Sequence, residues 1–361
     1  MKLNEICEVY SGYALKSFND VKDGLPVVKI GNIHTDGTLN LEECQYTSDV
    51  VSEKYYSQKD DIYIALSGAT TGKIGKMDTA ERYVINQRVG IVRKKSDNVP
   101  QEYIKYFLLR QTNRILQDAA GCAQPNISPK QIAEYIVPDT SEEKMVEICK
   151  ILEKTKNIID SRKAELIALD ELIKARFVEM FGDQRTNPFE ITKGTLKDVA
   201  DIYLGLTHTP EYVDSGKPFL SVRDISSGVI DFSNCHYITE DEFYSLPKGA
   251  RPREHDLLFC RVGTIGKPVI IPEGTPEFGT FVSVGFLRKK DNVLNTYLKA
   301  WMENDCFMEQ VYQNVKGASQ VNLNTGWLKE FEILMPSMEM QIEFDNFCKQ
   351  VDKSKFINYI A

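Results

Sequence analysis

The stretch Ser67-Gly68-Ala69-Thr70-Thr71-Gly72-Lys73 comes nearest to a phosphate-binding loop in this chain. Such a loop keeps four residues between its glycines and a serine or threonine after its lysine. Here three residues separate Gly68 from Gly72, and Ile74 follows Lys73. A second version, Gly263-Thr264-Ile265-Gly266-Lys267, is shorter still. Both read as tight hairpin-like turns, from which Lys73 and Lys267 can each point a charge at a backbone phosphate. The other repeated polar set is Gln124-Pro125-Asn126 and Gln320-Val321-Asn322. Asn and Gln can bond bidentately to an adenine edge. They can also satisfy backbone groups in a buried loop. The second reading is favoured, because residues that read different bases should differ between copies.

Catalytic patterns are missing. There is no Asn-Pro-Pro-aromatic or Asp-Pro-Pro-aromatic run of the kind amino-methylating enzymes use, and no cofactor glycine loop. The four histidines, at 34, 208, 236 and 255, hold no common place and pair with no cysteine at metal spacing. The eight cysteines include no CxxC pair, so neither a zinc knuckle nor a redox motif is indicated. None of these residues indicates a catalytic centre or a metal site.

The polar sets sit in a duplicated frame. Leu3, Ile6, Val9 and Gly12 match Leu196, Val199, Ile202 and Gly205 at one constant offset. Asp61-Ile62 matches Asp256-Leu257, and Cys44 matches Cys235. The run from Val89 to Lys95 matches that from Val284 to Lys290. Each copy closes on a proline, Pro138 and Pro336. Repeats of a solenoid run to about 20–50 residues, so this longer period marks a duplicated domain. Within each copy, Lys29–Ile33, Asp61–Leu66 and Val89–Val92 read as short strands, and their counterparts read alike. Helices are expected over 101–118 and 294–313. Cys44 and Cys235 read as small buried residues carried along by duplication.

Between the copies lies a helical pattern. Met145, Ile148, Leu152, Thr155, Ile159, Arg162, Leu166, Leu169, Ile173, Arg176 and Met180 follow in steps of three and four. That is a heptad seam, and it needs a partner helix. Gly182 ends it, and Asn187-Pro188 opens the next domain. The pattern recurs in Met340, Phe344, Phe347 and Val351 and then stops within ten or so residues. The second helix is therefore expected to be at most about half as long as the first. The resulting division is module 1–140, spacer helix 141–185, module 186–336 and short second helix 337–361.

Composition is that of an ordinary globular protein, with 42% hydrophobic residues. No apolar run reaches the 18 or so residues that would span a bilayer, and the start of the chain has no secretory pattern. A reducing cytoplasm is the expected location. The net charge is −8. Residues 1–140 hold 17 basic against 18 acidic side chains, and residues 186–336 hold 15 against 20. No segment is basic as a whole. Any hold on phosphates must come from a locally sorted face or from a more basic partner.

The leucine-led opening, the Asp-Ile-Tyr-Ile or Asp-Leu-Leu-Phe strand, the Gly-Lys turn, the Gly-x-x-Gln-x-Asn loop and the closing proline before a long helix occur twice in one order. In this the chain resembles the DNA specificity subunit of type I restriction-modification systems over essentially its whole length. The resemblance implies an α+β fold of two similar target-recognition domains, joined by long antiparallel coiled-coil helices. Each module would read one half of a bipartite sequence in double-stranded DNA. The helices would set the spacing and dock methyltransferase subunits, with restriction-motor subunits completing the complex. S-adenosylmethionine, ATP and Mg would then serve the partners rather than this chain.

Residues expected at the DNA are Lys29, Asn32, Ser67, Lys73, Arg88, Gln124 and Asn126 in the first module. Those in the second are Arg223, Asp224, Arg261, Lys267, Gln320 and Asn322. The uncovered part of the seam would be met by a methyltransferase subunit or by a second copy of the chain. Two other readings stay open: a stand-alone DNA-binding regulator of the same fold, and the recognition part of a split enzyme acting on something other than DNA.

Overall fold

A computed structural model describes residues 1–20, 22–96, 98–120, 125–314 and 322–360, with backbone alone over 356–360. The chain packs as two compact units, Met1–Ile159 and Asp160–Ala361. Each unit contains one α+β module, and the two modules repeat one topology.

In the first module the strands are β1 (Cys7–Ser11), β2 (Leu25–Val28), β3 (Gln45–Thr47), β4 (Ile62–Ala65), β5 (Ile74–Lys76), β6 (Val84–Ile85) and β7 (Val89–Lys94). They form an antiparallel sheet in the order β1-β7-β4-β5 and a smaller sheet in the order β3-β2-β6. In the second unit β8 (Lys193–Thr195) precedes the repeat. The repeat itself comprises β9 (Ala200–Leu204), β10 (Lys217–Leu220), β11 (His236–Ile238), β12 (Leu257–Cys260), β13 (Gly266–Ile270), β14 (Gly279–Thr280) and β15 (Val284–Lys289). Their orders, β13-β12-β15-β9 and β11-β10-β14, are the same arrangement strand for strand. β16 (Glu332–Leu334) pairs with β8.

Shared residue types explain the shared topology. All four residues of β4 are buried, as are all four of β12. Strands buried on both faces must be apolar throughout, and Ile-Tyr-Ile-Ala and Leu-Leu-Phe-Cys are. Gly12 and Gly205 sit where the large sheet meets the small one. A Cβ on Gly12 would lie 2.3 Å from the Ile85 carbonyl oxygen, and one on Gly205 would lie 2.3 Å from that of Phe281. Only glycine admits this approach of two backbones.

A buried ion pair is also repeated. Arg93 donates to both oxygens of Asp61 at 2.8 and 2.6 Å, and Arg288 to those of Asp256 at 2.9 and 2.6 Å. The fork geometry suits arginine, and a carboxylate this buried needs such a partner.

Some local expectations are corrected. Lys29–Ile33 does not continue as a strand. The chain closes a 3-10 turn over Ile30–Asn32, and its counterpart does so over Val222–Asp224. The cause is local: the Lys29 amide donates to Asn32 Oδ1 at 2.8 Å, and the Ser221 amide to Asp224 Oδ2 at 2.7 Å. Such side-chain acceptors compete with a sheet ladder. The expected single helices are each a pair, Gln101–Arg110 with Thr112–Ala119, and Asn295–Met302 with Asp305–Asn314.

The spacer helix runs from Glu142 to Phe181. The break between the units falls inside it rather than at its ends. Its first turns belong to the first core through Met145, Ile148 and Cys149, and its last turns to the second through Ile173, Phe177, Met180 and Phe181. The C-terminal helix, Met338–Ile360, has 23 residues against 40 in the spacer helix, slightly more than the expected half. Within the second unit it runs antiparallel to the spacer helix, because Arg176 pairs with Glu343 at 2.7 Å while Lys355 pairs with Asp170 at 2.7 Å. Seam positions Leu166, Leu169, Ile173 and Met180 are half-buried, and Phe344 and Val351 are buried. Phe347 lies 5.7 Å from the Arg176 guanidinium. Leu152 and Ile159 are exposed, together with Ile151 and Ile158.

Cys44 and Cys235 occupy equivalent buried places, both 8% exposed. Burial pushes the Cys7 and Cys348 thiols up to about 12. A raised thiol pKa leaves the unreactive protonated form at ordinary pH. Iodoacetamide at pH 8 should therefore leave Cys7 and Cys348 unmodified in the folded protein and modify them in urea, as read by peptide mass mapping.

Candidate nucleic-acid interface

In the first module the Gly-Lys turn links β4 to β5. The Ala65 amide donates to the Lys73 carbonyl at 2.9 Å, and the Gly72 amide returns to the Ala65 carbonyl at 2.9 Å. Gly68 and Gly72 both have φ of 83°, as the turn requires. The turn is then braced from two sides. Leu66 donates to the Arg88 carbonyl at 2.9 Å, and Ile127 donates to the Leu66 carbonyl at 2.9 Å. Ser67 forms an isolated antiparallel bridge with Asn126. Ser67, Lys73, Arg88 and Asn126 thus meet at one end of the large sheet, although they come from three separate stretches of chain.

The second module builds the same end. Arg261 donates its amide to the Ser283 carbonyl at 2.9 Å, and Leu323 donates to the Arg261 carbonyl at 3.0 Å. Val262 bridges Asn322 as Ser67 bridges Asn126. Each site carries one arginine on this pair of neighbouring rungs, Arg88 on one strand in the first module and Arg261 on the other in the second.

The side chains differ in what they are free to do. Asn126 and Asn322 are both exposed, and neither amide group has a side-chain hydrogen bond among the described residues. The buried, backbone-satisfying role expected for these amides is therefore not what the structure shows. The backbone of each asparagine is fixed, and its side chain faces solvent. Lys73, Arg88 and Lys267 likewise have no ion pair among the described residues, and Arg88 and Lys267 are exposed. Lys267 holds φ at 48°, so the chain turns at the lysine itself.

The remaining expected residues are already engaged. Lys29 donates to Gln45 Oε1 at 2.6 Å. Asn32 is buried, and its Nδ2 donates to the Asn40 carbonyl at 3.0 Å. Asp224 is buried, and Arg223 reaches both its carboxylate at 3.3 Å and the Asn234 carbonyl at 3.1 Å. Arg261 spends Nε on the Leu323 carbonyl at 2.7 Å and Nη1 on that of Val282 at 3.3 Å. Burial lowers its pKa. Asn32 and Asp224 brace their loops from within, whereas Lys29 and Arg261 are half-buried and Arg223 is exposed. Gln124 and Gln320 lie outside the described residues.

One group of residues escaped sequence reasoning. Lys248, Arg251, Arg253 and His255 line a cleft of about 830 Å³ in the second module. The available signal was a comparison of charges at matched positions. Residues 248–255 hold three basic and one acidic side chain, whereas 53–60 hold two of each.

Among the described residues no helix is long and apolar enough to cross a membrane. The sequence profile of the type I restriction modification DNA specificity domain matches residues 1–171. The specificity subunit of the type I restriction enzyme EcoBI from Escherichia coli is 20% identical over 377 residues, covering 95% of this chain and 77% of that protein. The S subunit of a type I restriction-modification system from M. genitalium has a similar fold, with a TM-score of 0.53 at 13% identity. It matches 100% of this chain and 92% of its own. A chain from a type I system studied for complex assembly and conformational transition gives a TM-score of 0.53 at 15% identity, over 99% of this chain and 92% of that one. The resemblance to type I specificity subunits therefore holds in sequence and in fold.

Proposed function

We propose that this chain, whose first 171 residues match the type I DNA specificity domain, is the sequence-reading subunit of a type I restriction-modification complex. Each module reads one half of a bipartite target in double-stranded DNA. The spacer and C-terminal helices set the distance between the half-sites and dock methyltransferase subunits. Restriction-motor subunits complete the assembly. S-adenosylmethionine, ATP and Mg belong to those partners, and this chain contributes recognition alone.

The observation that carries this reading is the doubled site. An exposed asparagine stands beside a Gly-Lys turn, with its backbone bridged to the same rung, in both modules. A base edge is read by amide groups held in place but left unpaired, and a lysine beside them supplies the sequence-independent hold on phosphate. Two such sites on one chain suit a target in two parts.

The test is co-expression with the methyltransferase subunit of its own system in a host lacking that methylation, followed by modification-sensitive long-read sequencing. The expected product is one methylated motif made of two specified halves with an unspecified gap of constant length. A motif with no gap would overturn the two-part reading. DNA binding by the chain with no methylation under any pairing would favour a stand-alone regulator.

A further inference from the structure

The first and second modules differ in charge at a place away from the doubled site. In the first module, Glu53 pairs with Arg82 at 2.6 Å, and the Arg82 guanidinium lies 3.7 Å from the centre of the Tyr56 ring. Aromatic ring, cation and anion satisfy one another there. At an offset of 195 residues, the same three positions are Lys248, Arg251 and Glu277. The charges of the outer two are exchanged, and the aromatic residue has become an arginine.

The exchanged pair does not re-form. Glu277 instead accepts from Lys217 at 2.9 Å and from the Tyr244 hydroxyl at 3.3 Å. The other acid at the cleft, Glu254, accepts the Gly274 amide at 2.8 Å. Lys248, Arg251 and Arg253 are left without an ion pair among the described residues. Lys248 and Arg253 are exposed and Arg251 is half-buried. Residues 186–336 hold five more acids than bases, so a cleft where Lys248, Arg251 and Arg253 stand with only Glu254 and Glu277 among their acidic neighbours, Arg288 being paired with Asp256, is a local sorting of charge against the trend of the module.

We propose that this cleft grips the phosphate backbone of duplex DNA, in addition to the lysine at each doubled site, and that the matching place in the first module has no such grip among the described residues. The inference rests on the reading of the chain as a DNA-binding subunit. The cleft is open to solvent, which suits a polymer of phosphates passing over it. Lys248 and Arg253 have no ion pair to leave among the described residues, and Arg251 rests over the Phe243 ring, 5.8 Å from its centre. Contacts of this kind hold the duplex in register and carry no base preference.

The test is fluorescence anisotropy of the full chain with a labelled duplex over a salt series. It compares wild type with R251Q/R253Q and with K54Q/K59Q, which neutralises two lysines of the matching segment in the first module. Each phosphate contact contributes about 0.9 to the slope of log affinity against log salt. R251Q/R253Q should reduce that slope by about two and weaken binding to all sequences alike, while K54Q/K59Q keeps the wild-type slope. If the double variant melts early, the single exposed change K248Q is read instead, with an expected loss of about one. Wild-type slopes in R251Q/R253Q and K248Q would overturn the proposal while leaving the specificity reading intact. Failure of wild type to bind any duplex, both alone and with the methyltransferase subunit of its own system, would overturn that reading itself.

Discussion

Phe181→Ala is expected to destabilise the second unit by about 3–5 kcal/mol, the range for emptying a large aromatic site in a packed core. Phe181 is fully buried. Its ring centre lies 5.1 Å from that of Phe177, 4.9 Å from Tyr297 and 5.5 Å from Phe344. These four rings come from the spacer helix, a module helix and the C-terminal helix, so they tie all three together. Edge-to-face geometry among aromatic neighbours adds about 0.5–1.5 kcal/mol per pair beyond area burial. The loss should appear in urea unfolding as an early transition of the second unit. The first unit, whose core Phe181 does not enter, should unfold at its usual midpoint. A single transition shifted as a whole would mean that the two units unfold together.

Asn322→Ala should relax the choice of base in one half of the methylated motif, and Asn126→Ala in the other. A bidentate side-chain contact to a base is worth about 1–3 kcal/mol of discrimination, roughly a five- to 150-fold preference. Both side chains are exposed, so neither change opens a cavity. Folding should be undisturbed, and the effect should fall on recognition alone. The readout is modification-sensitive sequencing of DNA methylated by each variant complex. Degeneracy confined to one half in each case is the expected result. An unaltered motif in both variants would remove the two asparagines from base reading.

The duplication was legible because it survives in residue types that the fold cannot exchange. Gly12 and Gly205 admit no side chain, and the Asp61–Arg93 and Asp256–Arg288 pairs are buried forks that recur at matched positions. The spacer helix was legible because a seam of three-four steps has no other reading. Lys29–Ile33 misled because Val27-Val28 ahead of it is a true strand. What ends that strand is a side-chain acceptor, Asn32, whose effect on the amide three residues earlier leaves no periodic trace. The site was half legible. Repetition pointed to the asparagine loops, but whether their side chains are exposed is set by which backbone the loop meets. Lys29, Asn32, Arg223 and Asp224 had the polarity of reading residues and are each engaged in a hydrogen bond of their own module. The cationic cleft stayed hidden because its charges matter only relative to the opposite charges at matched positions of the other module.

Both asparagine loops are fastened at their main chain, by matched amide–carbonyl bonds and by side chains that are not their own, Thr71 on the Pro125 carbonyl and Arg261 on the Leu323 carbonyl. The amide of Ile127 on the Leu66 carbonyl and that of Leu323 on the Arg261 carbonyl hold the loops whatever side chains they display. Stability and specificity are thereby placed on separate atoms of the same residues. A lineage carrying this scaffold can try new side chains at the tips with little loss of stability, so its targets can diversify quickly while its architecture stays still.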